Sequence, residues 1–182
     1  ATHDRINRNV FISTFAEIKL PLEGLKFRTN FGYNYRNEME GTYYGRDTKT
    51  GAAVNGSAEI RNLNYYDYTW ENLLTYDRIF GKHKLGVTAL FSVQETNEKE
   101  SKESGTSFVN DDLEYHNIEA AENNKEIESS LEETAMLSYM LRINYSYANK
   151  YLITLTGRSD GYSAFGENNK YAFFPSAAVA WN

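Results

Sequence analysis

Twelve residues, 25–36, alternate almost without a break, and that pattern restricts this chain more than any other feature. Leu25, Phe27, Thr29, Phe31, Tyr33 and Tyr35 share one parity, while Lys26, Arg28, Asn30, Gly32, Asn34 and Arg36 share the other. Side chains on a strand point to opposite faces with period two, so the segment reads as a strand with one apolar and one polar face. It is longer than most soluble strands and matches the ~9–11 tilted residues that cross a bilayer. The same alternation recurs over residues 8–20, 62–80, 85–95, 134–147, 151–159 and from Tyr171 onward. The expected fold is all-β, an antiparallel up-and-down transmembrane β-barrel segment of about six or seven strands.

The connectors agree with that reading. Short reversals at 21–24 (Pro-Leu-Glu-Gly), 81–84 (Gly-Lys-His-Lys) and 148–150 (Ala-Asn-Lys) alternate with long loops expected at about 37–61, 96–133 and 160–170. Outer-membrane barrels show this asymmetry, with tight periplasmic turns and extended outer loops. With the short turns on the periplasmic side, Tyr33, Tyr35, Tyr66, Tyr68 and Trp70 fall near the outer strand ends. Tyr76, Tyr145, Tyr147 and Tyr151 fall near the inner ends. Two membrane-interface belts are therefore predicted, because amphipathic rings prefer the headgroup level.

Composition removes several classes of function. A net charge of −6 argues against nucleic acid, whose phosphates need a basic face. Without cysteine there is no disulfide framework and no thiolate metal site. Fifteen Tyr and ten Phe favour strands over helices. The mean hydropathy of −0.64 suits a barrel, which turns only every second residue towards lipid. No run approaches eighteen apolar residues, so no transmembrane helix is expected. The first residues are polar and the last, Ala177 to Asn182, read as mid-strand, so an internal piece of a longer protein is expected.

Residues 149–166, Asn-Lys-Tyr-Leu-Ile-Thr-Leu-Thr-Gly-Arg-Ser-Asp-Gly-Tyr-Ser-Ala-Phe-Gly, continue into Tyr171-Ala172-Phe173-Phe174-Pro175-Ser176 and Trp181. This stretch resembles a recurring segment of the SusC/RagA-like TonB-dependent transporters. Tyr162 and Ala164 depart mildly from it, standing where the family usually has a small and a basic residue. Residues 70–76, Trp-Glu-Asn-Leu-Leu-Thr-Tyr, with Gly81-Lys82-His83, resemble a hairpin of the same family. The likeness is dense over 149–182, moderate over 68–95 and absent from both long loops. It implies a 22-stranded outer-membrane barrel of a Gram-negative bacterium, closed by a plug that this chain lacks. It also implies a SusD-like lipoprotein lid, import of oligosaccharides or peptides, and energy from TonB through the N-terminal region missing here. The rival reading is a soluble or surface β-sandwich that binds glycans without transport, whose apolar face a second sheet would cover.

Particular residues carry fewer expectations. Tyr43, Tyr44 and Arg46, beside Asp47, form a loop-tip cluster suited to stacking on sugar rings, or to packing the loop on its neighbours or a lid. The 96–133 loop holds 12 of the 25 acidic residues against three lysines. His116 with Asp111, Asp112 and Glu114 offers oxygen ligands for calcium, without the spacing of a calcium loop. Otherwise this loop is a solvated acidic segment. Lys26, Arg28, Arg36, Glu71, Asp77, Arg142 and Arg158 fall on the polar face, towards a lumen or a plug. Ser163, His3, His83 and His116 lie in unrelated segments with no nucleophile motif, so no enzyme and no cofactor are expected.

Overall fold

In the computed structural model, which describes residues 1–166 and 170–182, the alternating segments become seven strands of one sheet in the order of the chain. They are β1 (Thr2–Lys19), β2 (Leu25–Tyr44), β3 (Ser57–Phe80), β4 (His83–Thr106), β5 (Asn123–Tyr147), β6 (Tyr151–Tyr162) and β7 (Tyr171–Trp181). One helical turn, α1 (Lys49–Ala52), and a 3₁₀ segment, Glu114–Ala120, lie in the two longest connectors. All seven strands share a single sheet, so no second sheet covers the apolar face among the described residues. The sandwich reading falls on that point.

Register preserves the parity of the sequence. Tyr139, Leu141, Ile143 and Tyr145 on β5 stand opposite Ser159, Gly157, Leu155 and Ile153 on β6. Those in turn face Phe173, Pro175, Ala177 and Val179 on β7. The other parity carries Asn144 opposite Thr154, Arg142 opposite Thr156 and Ser138 opposite Asp160. Because the period is two, a slip of one residue would exchange the faces.

The short turns form for local reasons. Gly24 holds a φ of +88°, which a glycine adopts without strain. Its carbonyl accepts the Asp77 N–H at 2.9 Å. A Cβ at this position would stand 2.0 Å from the Asp77 carbonyl oxygen, so the close approach itself demands glycine. At 148–149, Ala148 and Asn149 both take positive φ, the conformation that matches strand twist in a two-residue hairpin.

The long loops are shorter than expected. Residues 37–44 extend β2 and 57–61 begin β3, leaving a connector of 45–56 in place of 37–61. Likewise 96–106 belong to β4 and 123–133 to β5, so the 96–133 loop shrinks to 107–122. Both faces of these extensions carry charge, which hides strand periodicity. Glu98, Glu100 and Glu103 are strand residues of β4, and Glu126, Glu128, Glu132 and Glu133 of β5. β6 also runs on to Tyr162, so the third loop occupies 163–170, and its residues 167–169 lie outside those described.

The strands pass through two compact units. The first comprises residues 1–10, 34–66 and 97–133, and the second 11–33, 67–96 and 134–182. The first unit has an apolar core of Tyr43, Ala58, Phe108, Tyr115 and Ala121, flanked by Met39, Ile60 and Ile118. Here 107–122 folds back: Phe108 N–H donates to the Asn55 carbonyl, and the Tyr115 ring occupies the space a Cβ at Gly41 would need. All the buried hydrophobic side chains among the described residues belong to this unit.

Candidate functional site

Two sheet faces of the second unit make up the site, and they differ in chemistry. On the apolar face the large side chains stay exposed: Leu141 is 50% exposed, Phe173 67% and Val179 81%. Contiguous apolar surface of this kind marks contact with lipid or a partner. On the opposite face polar groups link laterally. Arg28 Nε donates to Asn30 Oδ1 at 2.8 Å, and Asn30 Nδ2 donates to Glu71 Oε2 at 3.4 Å. Arg158 Nε donates to both Asp160 oxygens at 2.9 Å, and its Nη2 donates to Ser138 Oγ at 3.3 Å. Arg142 donates to Thr156 at 3.2 Å, and Thr154 to Asn144 at 2.8 Å. Phe15 interrupts the polar row, with the Arg28 guanidinium 4.3 Å above its ring. This face therefore presents a hydrogen-bonding wall and the other an oily one.

Most of the expected interfacial aromatics acquire ring or hydroxyl partners. Phe31 stacks on Tyr68, whose hydroxyl donates to Glu95 at 2.6 Å. Trp70 donates to Thr29 Oγ1 at 2.9 Å and meets Phe91 edge-on, and Phe91 meets Tyr139. At the other strand ends His83 sits between Phe80, Tyr145 and Tyr147, with Nδ1 2.6 Å from the Tyr145 hydroxyl. Tyr151 pairs across the sheet with both Tyr147 and Trp181, and Lys150 Nζ reaches over the Tyr151 and Trp181 rings. Sequence reasoning missed His83, Tyr139, Trp181 and Lys150 as members of these bands. Only cross-strand register shows them. Tyr33 and Tyr76 are half-buried on the same strands. Tyr35 and Tyr66 belong to the first unit, where the Tyr35 hydroxyl lies 3.4 Å from Asn64 Oδ1.

The loop-tip candidates separate. Tyr43 is only 2% exposed; its hydroxyl donates to Asp111 at 2.7 Å and its ring meets Phe108 edge-on, so it presents no stacking surface. Arg46 joins the same carboxylate at 3.1 Å and donates to the Val109 carbonyl at 2.8 Å. Tyr44 remains exposed. The acidic loop gathers no group of metal-ligating side chains among the described residues. Asp111 faces Tyr43 and Arg46, while the His116 ring packs on Tyr115. Further pairs tie strand to strand in this unit. Arg61 forks onto Glu100 through two 2.8 Å bonds, Arg5 reaches Glu38 at 2.7 Å and Lys102 reaches Glu59 at 3.1 Å. Arg36 lays its guanidinium 5.3 Å from the Tyr65 ring.

The clasp on Asp111 carries a pH signature. The Tyr43 hydroxyl first, then Arg46, holds the Asp111 carboxyl below the usual carboxylate range. Burial pushes the Tyr43 phenol up to about 12, with the Asp111 bond adding to it. A depressed carboxyl stabilises the fold above its ordinary titration range, and that contribution disappears as pH falls through the depressed value. A raised phenol contributes below its ordinary pKa and loses its contribution as pH rises through about 12. Hydrogen exchange of 107–122, corrected for intrinsic rates, is therefore expected to be slow at neutral pH and faster in strong acid. Asp111→Ala raises it several-fold already at neutral pH, and unchanged exchange in that variant would refute the clasp.

An antiparallel meander with one exposed oily face and one hydrogen-bonded polar face defines the wall of an outer-membrane-type β-barrel. No family model matches the chain. TonB-dependent receptor P3 of Formosa agariphila is 39% identical over 161 residues, covering 88% of this chain and 16% of that protein. TonB-dependent receptor SusC of Bacteroides thetaiotaomicron is 48% identical over 46 residues, a quarter of this chain. The structure of the RagAB peptide transporter superposes with a TM-score of 0.87 at 21% identity, covering 97% of this chain and 20% of that one. In sequence the chain is thus similar to TonB-dependent receptors over most of its length, and in fold it matches a stretch of the barrel wall of such a transporter. It spans only 16–18% of the length of the three relatives that it matches over most of its own length.

Proposed function

We propose that this chain forms part of the barrel of a transporter in the outer membrane of a Gram-negative bacterium. The whole protein imports oligosaccharides or peptides, works with a SusD-like lipoprotein, and draws energy through TonB. The observation that carries this reading is the exposed apolar row of the second unit, Leu141, Leu155, Phe173 and Val179, backed by a face rich in hydrogen-bonded polar groups. Hydrocarbon satisfies the first face, and a water-filled or plugged lumen satisfies the second. The polar wall offers donors and acceptors in lateral networks, which suits the passage of a polar cargo. The aromatic bands form the two interface belts of the bilayer. The RagAB structure is that of a peptide transporter, which supports a peptide cargo.

Uptake measurements separate these cargoes. Cells carrying the full-length protein are offered fluorescent oligosaccharides and peptides, with and without a functional TonB. Uptake of one class that requires both the protein and TonB is expected. Equal uptake in cells lacking the protein would contradict the transport reading.

A further inference from the structure

β5 outruns its neighbour β6. Their ladder ends at Met136 opposite Tyr162, where β6 turns back with the Tyr162 N–H bonded to the Lys170 carbonyl at 3.0 Å. Residues 123–135 of β5 continue with β4 along one edge, where Asn97 donates to Glu133 at 2.6 Å and Asn124 to Thr106 at 2.9 Å. Along the other edge of 125–133 no strand stands among the described residues. Ala135 fixes which backbone groups are left open. Its N–H donates to Ser163 Oγ at 2.8 Å and its carbonyl accepts the Ser163 N–H at 2.9 Å, so both point to the β6 side. In an antiparallel strand the two groups of one residue share a side, and successive residues alternate. Lys125, Ile127, Ser129, Leu131 and Glu133 therefore aim N–H and carbonyl groups at the open edge. An unpaired row of this kind is a template for another strand.

The side chains specify what that strand must carry. Every residue from Asn123 to Glu133 is exposed. One face of the edge presents Ile127, 83% exposed, and Leu131, 61% exposed, with Ser129 between them. The other presents Glu126, Glu128 and Glu132, none of which holds a hydrogen bond or ion pair among the described residues. Lys102, on which Glu126 and Glu128 also act, is engaged by Glu59 at 3.1 Å. A second copy of this edge would set carboxylate against carboxylate, and like charges directly opposite each other oppose pairing. A strand that alternates apolar with basic residues satisfies both faces at once.

We propose that residues 125–133 are a docking edge for an extended strand of a partner protein whose residues alternate apolar and basic. Main-chain bonds to the odd-numbered residues hold that strand. Its apolar side chains cover Ile127 and Leu131, and its lysines or arginines face Glu126, Glu128 and Glu132. The site is built from strand pairing and charge, and goes beyond the transport reading without resting on it.

Hydrogen exchange of the full-length protein in lipid nanodiscs, read residue by residue, tests the edge. Before any addition the amides of 125, 127, 129, 131 and 133 are expected to exchange fast, and those of 126, 128, 130 and 132 slowly. A short peptide alternating valine with lysine slows the odd amides several-fold and saturably, and its valine–glutamate counterpart does not. Ser129→Pro removes one N–H from the open edge and none from the β4 ladder, so the even amides stay slow while the lysine peptide loses its effect. Glu128→Gln combined with Glu132→Gln leaves every backbone group in place and weakens the lysine peptide several-fold. Odd amides already slow in the full-length protein alone would overturn the proposal, because another part of that protein then covers the edge. No protection by the lysine peptide, equal protection by both peptides, or protection unchanged in the glutamine pair would overturn it as well.

Discussion

Leu141→Arg is expected to abolish insertion of the full-length protein into the outer membrane. Leu141 sits midway along the apolar row of β5, paired with Gly157 and half-exposed on the face proposed to meet hydrocarbon. An arginine at the bilayer midplane of a barrel costs ~2–4 kcal/mol, falling towards ~0–1 near the interfaces. Phe31→Arg, on the apolar parity of β2 and stacked on Tyr68, is expected to have the same effect. Asn144→Arg, one face away beside Thr154, is expected to insert normally, because the polar wall already accommodates Arg142 and Arg158. Heat-modifiable migration of membrane fractions reads the folded barrel directly. Normal assembly of Leu141→Arg, or failure of Asn144→Arg, would show that the faces are assigned the wrong way round.

Gly24→Val is expected to have the second-largest effect. Two penalties coincide there. The φ of +88° is hostile to a β-branched residue, and the new Cβ would collide with the Asp77 carbonyl at 2.0 Å. Neither is the far end of a flexible side chain, so the turn and β3 must separate and the 2.9 Å bond from Asp77 N–H is lost. Strained backbone and overpacking of this kind cost about 1–3 kcal/mol each. Urea unfolding of the reconstituted protein should show a lower midpoint with an unchanged slope. Gly32→Ala has open space around it and is the matched control. If both variants unfold alike, the turn contact has no energetic role.

The parts of this fold that the chain announces in advance are those where chemistry alternates cleanly. Residues 25–36 and 134–147 read as two-faced strands because apolar and polar side chains alternate along them, and the β5–β6–β7 register keeps odd positions facing odd ones. In the first unit that alternation is lost. Its strands pair charge with charge across the sheet, as Arg61 with Glu100 and Lys102 with Glu59, and hydropathy sees only a loop. The 45–56 and 107–122 connectors are likewise hidden, because Tyr43 and Tyr115 look like exposed loop aromatics until long-range partners bury them. Asp4, which accepts from the Tyr115 hydroxyl, lies 111 positions away in the chain. Site chemistry follows the same division. The polar wall is legible residue by residue, whereas the aromatic bands become complete only when register brings Trp181 to Tyr151 and His83 to Tyr145.

One measurement addresses the assignment of faces without altering stability much. Single cysteines placed in turn at 25–36 of the full-length protein, in native membranes, are exposed to a membrane-impermeant maleimide and to a lipid-soluble one. The two-faced wall predicts labelling with period two. Positions 26, 28, 30, 32, 34 and 36 react with the aqueous reagent, and 25, 27, 29, 31, 33 and 35 with the lipid-soluble one. Reaction of both parities with the aqueous reagent would contradict the barrel wall outright.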